Sequence, residues 1–362
     1  MKGLKIGNLK IKVPIIQGGM GIGISMSSLA SAVANMGGVG IISTVGIGLT
    51  DQRSNVGYKK RNIEVLRREI RKAKELSNGI IGVNIMSVIT DFSEMVKTSI
   101  EEGINIIFSG AGLPLDLPKY LQKDSQTKLV PIVSSGRAAN ILCTKWMQNY
   151  NYMPDALVVE GPKAGGHLGF KANALHEIGN TLENLVTEVV QVAKDMKKKY
   201  GKNIPVIAAG GIFTGEDMYN IMKRGASAVQ LGTRFVATKE CDASDNFKNA
   251  FITAKEQDIR IIKSPVGMPG RVIINKFMND AIQGNRRPEF CKHNCIRSCD
   301  PKTTTYCISE ALYEAYKGNL EDGFVFTGAN AGRIDRITSV SDIFNEMVEE
   351  YEVCSSRSKQ GR

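Results

Sequence analysis

The residues best equipped for chemistry in this chain fall in a few short stretches. The first spans residues 204–235, IPVIAAGGIFTGEDMYNIMKRGASAVQLGTRF. Gly210 and Gly211 follow one apolar run (204–209), and Gly232 and Thr233 follow another (228–231), with an amphipathic helical pattern (215–224) between them. Two apolar strands joined through a helix make a parallel βαβ unit, so both glycine turns leave the strands at the same edge. Backbone N–H groups in such turns, backed by a helix N-terminus, can cradle a phosphate, and a cofactor phosphate is expected there. The competing reading is that these glycines only permit tight turns.

A second stretch, EGPKAGGHLGF at 160–170, sets His167 among small residues after another apolar run. Open space around an imidazole suits a general base, or a partner for an oxyanion or carboxylate. The bland alternative is a loop histidine bonded to backbone. The third is the set Cys291, Cys295, Cys299 and Cys307, four of the seven cysteines within seventeen residues. Disulfides are not expected in a chain without a secretion signal. The set also lacks the Cys-x2-Cys knuckles common in zinc sites. Thiols one helical turn apart stand roughly 6 Å from each other, wide for a single ion with metal–sulfur bonds of about 2.3 Å. That spacing better matches the corners of a [4Fe–4S] cluster, with zinc and free thiols in a packed cap as the alternatives. His293, between the first two cysteines, is expected to be exposed rather than a ligand.

Something must hold these stretches in place. Apolar strand-like runs recur at 14–18, 38–44, 80–86, 104–110, 129–134, 156–161, 204–210 and 228–233. Helical patterns at 27–35, 62–76, 91–102, 118–122, 138–148, 182–200 and 215–224 connect them. Eight continuous apolar strands with helical crossovers call for a closed TIM (β/α)8 barrel. An open doubly wound sheet would need an early GxGxxG; the glycines at 18–23 have the wrong spacing, and no acidic residue ends the second strand. In a barrel the chemistry sits on the loops after the strands, with phosphate favoured after strands seven and eight. Residues 1–235 are then the barrel core. Residues 236–334 read as a helical cap carrying the cysteines, with helices at 244–256, 271–282 and 307–315. A final helix over 335–354 returns to the barrel wall, and 355–362 is expected to be a disordered tail.

Composition narrows the partners. The formal net charge is +11, but the densest basic run, 59–74, has its apolar residues at helical spacing and reads as a solvated helix. Aromatic residues are not interleaved with the basic ones, which argues against nucleic acid. A small anionic substrate or cofactor accounts for the charge as well. No run of eighteen apolar residues suggests a membrane span, and no signal core opens the chain, so a cytoplasmic location is expected. Homo-oligomerisation stays open.

IIQGGM at 15–20, GVNIM at 82–86, EGPKAGGHLG at 160–169, IPVIAAGGI at 204–212 and GASAVQLGTRF at 225–235 together resemble the nitronate monooxygenase family, formerly 2-nitropropane dioxygenases. The resemblance extends to the related flavin-dependent enoyl-ACP reductase II. It covers roughly residues 10–240, and TGANAGRI at 327–334 is similar to a late loop of the same families. It implies a TIM barrel holding FMN. Gly19, Met20 and Gly21 would lie along the flavin, Asn84 would contact it, and Glu160 would face the ribityl chain. Gly165, Gly210, Gly211, Gly232 and Thr233 would hold the cofactor, the last four at the phosphate. His167 falls on the family's active-site histidine. The implied reaction oxidises an alkyl nitronate to a carbonyl compound and nitrite; NAD(P)H-dependent enoyl-ACP reduction is the alternative within flavoenzymes. A flavin-free barrel binding a phosphorylated metabolite is the rival from another class. Pro162 and Lys163 depart from the family's usual acidic spacing and put a positive charge near the mouth, fitting an anionic substrate or a solvated loop.

Overall fold

Apolar runs bounded by glycine and polar residues become the strands of a closed parallel barrel, and the amphipathic stretches between them become its outer helices. The computed structural model describes residues 1–51 and 56–360. A short hairpin comes first, β1 (Leu4–Ile6) with β2 (Leu9–Ile11). Leu4, Ile6 and Ile11 pack into one cluster with Ile16, Ile106, Phe108, Val130 and Val158 from the barrel, so the hairpin plugs one barrel end. The barrel then begins with β3 (Ile15–Gln17), α1 (Ser27–Asn35), β4 (Val39–Ser43), α2 (Tyr58–Leu76), β5 (Ile80–Met86), α3 (Phe92–Glu101) and β6 (Ile106–Gly110). It continues through β7 (Lys128–Val133), α4 (Gly136–Tyr150) and β8 (Leu157–Glu160). A two-residue strand, β9 (Gly166–His167), leaves the barrel before α5 (Leu182–Tyr200), β10 (Val206–Ala209), α6 (Gly215–Lys223) and β11 (Ala228–Leu231). Strand β11 pairs with β3 and closes the ring.

Local chemistry sets the boundaries. Thr214 and Asp217 form a reciprocal capping box that starts α6, satisfying amides that would otherwise be orphaned. The Thr181 side chain caps α5, which ends on Gly201 in the left-handed region. Helix α2 buries Val65, Leu66, Ile70 and Ala73. Its basic face is largely paired: Arg71 binds Glu102 at 2.8 Å, Arg67 reaches Glu101 and Glu102, and Arg68 reaches Asp51. The fourth crossover, expected as a helix at 118–122, is only a 3-10 turn (Leu117–Tyr120). There the fully buried Trp146 of α4 donates Nε1–H to the Pro114 carbonyl at 3.0 Å, so packing from the next helix organises the loop.

Beyond β11 the chain forms α7 (Thr233–Val236), α8 (Asp245–Thr253), β12 (Ile259–Lys263), β13 (Pro269–Ile273), α9 (Lys276–Ile282), α10 (Ile308–Lys317), β14 (Val325–Phe326) and α11 (Val340–Gln360). The cap is therefore not purely helical. A small antiparallel sheet of β9, β12, β13 and β14 crosses it. The expected helix at 271–282 splits: its first residues, rich in β-branched side chains, extend β13, and the helix begins only after Asn275 caps Met278 N at 3.0 Å. Helix α11 packs along α6, with Gly215 N donating to Glu350 at 2.6 Å. A Cβ on Gly215 would stand 2.2 Å from the Met347 carbonyl, so this contact requires glycine. The helix runs past the expected start of a tail at 355 because no glycine or proline interrupts it before Gly361. Residues 361–362 of that expected tail lie outside the described residues. Among the described residues no helix is long and apolar enough to cross a membrane.

Candidate active site

The strand ends converge on one cavity at the rim opposite the hairpin. All ten residues expected to touch a flavin line it: Gly19, Met20, Gly21, Asn84, Glu160, Gly165, Gly210, Gly211, Gly232 and Thr233. His167 lines it too. Because β10 and β11 are hydrogen-bonded neighbours, the two glycine turns sit side by side at one edge. Gly210 and Gly211 have φ of 92° and 101°, a region closed to most side chains. A Cβ on Gly210 would come within 2.9 Å of the Gly161 carbonyl, and one on Gly165 within 2.8 Å of Gly328 N. Gly19 has a different reason to be glycine: the Asn84 side chain stands 2.2 Å from where its Cβ would be.

A late loop locks this rim. Gly328 N donates to Thr233 Oγ1 at 3.0 Å, Ala329 N to the Lys163 carbonyl at 3.1 Å, and Asn330 Nδ2 to the Gly211 carbonyl at 2.8 Å. Buried Arg271 on β13 donates to the Pro162 carbonyl at 2.9 Å and to the Ala164 carbonyl. The loop after β8 is thus held by the cap, and the pairing of β9 with β13 places His167 opposite Gly270.

His167 Nε2 lies 2.7 Å from Ser264 Oγ, and its ring packs against Phe326 with centroids 4.8 Å apart. Burial lowers its pKa to about 4, so the imidazole is neutral near pH 7. Burial pushes Glu160 up to about 7. Glu160, Asn84 and Gln230 all face the cavity, and no side-chain hydrogen bond to another described residue satisfies them. Polar groups so placed call for a ligand with heteroatoms of its own. Together with the glycine edge they fit a flavin mononucleotide, whose phosphate would lie by Gly210, Gly211, Gly232 and Thr233.

The remaining sequence expectations divide. Gln17, within the IIQGGM motif, is fully buried and donates to Ser25 Oγ at 2.8 Å and to the Ile41 carbonyl at 2.9 Å, so it braces the barrel. Lys163 lines the cavity with no ion pair to a described residue. Of the four cysteines only Cys295 lines it. No three His, Cys, Asp or Glu side chains among the described residues are grouped to hold a metal ion. The cysteine segment is irregular rather than helical, so the helical-turn argument for its spacing does not apply. His293, expected to be exposed, is half-buried and pairs with Glu310. Sequence reasoning missed Ser264, Phe326, Tyr58 and Gln230. Only Gln230 left a signal, a lone amide inside an apolar strand; Tyr58 and Phe326 reach the cavity, and Ser264 reaches His167, by tertiary packing from a crossover or the cap.

Comparison with known proteins agrees with this geometry. The family model described as nitronate monooxygenase matches residues 2–95 and 73–350. The chain is similar to a probable nitronate monooxygenase of Staphylococcus saprophyticus, at 28% identity over 75% of this chain and 79% of that protein. It is also similar to (3aS,4S,5R,7aS)-5-hydroxy-7a-methyl-1-oxo-octahydro-1H-indene-4-carboxyl-CoA dehydrogenase of Mycobacterium tuberculosis, at 27% identity over 93% and 92%. Among solved structures, FabK from Thermotoga maritima superposes with a TM-score of 0.75 at 29% identity, covering 97% of this chain and 96% of that one.

Proposed function

Since the chain belongs to the nitronate monooxygenase family of flavin-dependent oxidoreductases, we propose that it oxidises alkyl nitronates to carbonyl compounds and nitrite, with oxygen as co-substrate. The observation that carries the reading is a neutral, braced His167 on the same cavity wall as the glycine edge. Bound FMN would supply a two-electron acceptor. The chain's own residues would do the rest. Ser264 fixes the imidazole through Nε2, leaving Nδ1 without a partner among the described residues and available to the substrate. A neutral imidazole can take a proton from a nitroalkane carbon or orient the nitronate. Lys163, without an ion pair to a described residue, offers a cation to the anion, and Phe326 and Ile132 form apolar wall that limits water. Family membership leaves little ground for a flavin-free phosphometabolite barrel.

One observation favours a second reading. The likeness to FabK and to the CoA dehydrogenase spans nearly the whole chain, cap included, so reduction of an enoyl thioester is the alternative. NAD(P)H belongs to that reaction, while a metal or cluster at the cysteine set would be compatible with either. Oxygen consumption and nitrite release with propionate 3-nitronate, run beside NADH oxidation with a crotonyl thioester, separate the two. Nitronate turnover is expected; crotonyl turnover without it would overturn the first reading.

A further inference from the structure

His167 has two ring nitrogens, and what it can do in the cavity depends on which of them carries the proton. The surroundings of Ser264 decide that. Ser264 stands in the turn between β12 and β13, where its N–H donates to the Met268 carbonyl at 3.1 Å and its carbonyl accepts from Gly267 N at 2.9 Å. Its backbone is thus fixed at both ends, and the residue is only 3% exposed. The pairing of β9 with β13 sets His167 opposite Gly270 and brings Nε2 to 2.7 Å from Ser264 Oγ.

That hydrogen bond holds one proton, which either atom could supply. Counting the protons around Ser264 separates the two arrangements. Val266 N donates to Ser264 Oγ at 3.3 Å, so one lone pair of this oxygen is already engaged. The hydroxyl's own proton needs an acceptor, and His167 Nε2 is the one at hydrogen-bonding geometry among the described residues. Tyr306 is the other polar group in reach. Its side chain interacts with that of Ser264, its ring is packed edge-on against Phe277 and Phe324 with centroids 5.7 and 5.4 Å away, and its buried hydroxyl has no hydrogen-bond partner of its own. With the proton on Nε2, Ser264 could turn its hydroxyl only towards Tyr306, and the phenol proton would stay orphaned. With Ser264 donating to Nε2, its oxygen keeps a lone pair for the phenol. The second arrangement leaves no buried hydroxyl proton without an acceptor, which is the cheaper state. An imidazolium would carry protons on both nitrogens, but burial keeps this ring neutral near pH 7.

We propose that Ser264 donates to Nε2 and so holds His167 as its Nδ1–H tautomer, which presents the cavity with a hydrogen-bond donor in place of a base. Ser264 is a positioning residue, acting through the ring. The consequence for chemistry rests on the nitronate reading above: of the two roles open to a neutral imidazole, His167 takes the second. Its Nδ1–H donates to an oxygen of a nitronate that arrives already ionised, while Lys163 lines the same cavity as a cation. Its basic nitrogen is occupied by Ser264, so the ring does not take a proton from carbon.

The test is long-range proton–nitrogen NMR on the flavin-loaded full chain labelled with 15N-histidine. There are three histidines, and His167→Asn identifies the signal. A protonated Nδ1 with a bare Nε2 is expected at pH 7, shifting towards the Nε2–H form in Ser264→Ala and returning in Ser264→Thr. An Nε2–H ring in the wild type would overturn the assignment, as would a tautomer indifferent to Ser264→Ala; the wild-type spectrum decides even if a variant misfolds. Kinetics with ethyl nitronate test the donor role. His167→Asn keeps a donor but no base, and should turn over about tenfold faster than His167→Ala, on the scale of one lost donor; equal loss in both would contradict that role. Wild-type protein that oxidises no nitronate would sink the nitronate reading alone, since the tautomer is read without turnover.

Discussion

Glu160 and His167, both half-buried, face the cavity, and desolvation moves them in opposite directions. His167 is lowered from 6.5 to about 4, so the unfolded chain takes up a proton first as pH drops. Its contribution to stability is complete above about 6.5 and is lost as pH falls towards 4. Glu160 is raised from 4.5 to about 7. Its contribution is complete below about 4.5 and is lost as pH rises through 7. Thermal melts of flavin-stripped protein from pH 4 to 9 should therefore lose an alkaline decline in Glu160→Gln and an acid decline in His167→Gln. For activity, His167→Ala should lower turnover by ~10²–10⁴-fold with flavin still bound; turnover within twofold of wild type would remove the histidine from the chemistry. His167 was legible because few other residues could act as base in such a loop. Its partner Ser264 was not, being 97 positions away and brought in by the cap.

At the scale of elements, the pairing of β9 with β13 joins barrel to cap, and Arg271 is its rivet. Arg271→Ala leaves the Pro162 and Ala164 carbonyls without their donor. It should cost about 1.5–3 kcal/mol for each charge-assisted bond lost, read as a lower denaturation midpoint, and should weaken flavin retention through the loop it pins. At the phosphate edge, Gly211→Ala must take a φ of 101° and bring a Cβ to 2.9 Å from that of Lys163. A cost of about 1–3 kcal/mol and a weaker hold on FMN should follow, measured by flavin release during dialysis. The eight strands could be read in advance because parallel barrel strands are buried on both faces and appear as continuous apolar runs. The cap sheet could not: β9 and β14 are two residues each, too short for any periodicity, and exist only because β13 lies between them.

Across the whole molecule, the chain builds a barrel plugged at one end and capped at the other, so the glycine edge, Glu160 and His167 share one cavity. Motif order along the sequence made this legible, since each motif falls at the end of a different strand. What stayed hidden was the part supplied from far along the chain, Cys295 and Phe326 in the wall and Ser264 behind His167. With an excess of positive charge and Lys163 at the cavity without an ion pair to a described residue, KM for an anionic substrate should rise with ionic strength. It should rise again in Lys163→Ala, with kcat little changed. The claim on which the rest depends is that the edge formed by residues 210–211 and 232–233 grips the phosphate of a flavin. The most direct measurement is the absorbance spectrum of freshly purified protein, with the cofactor released by acid and identified. About one FMN per chain, lost selectively in Gly211→Ala, is the result the account predicts; colourless protein, or a bound flavin indifferent to that substitution, would contradict it.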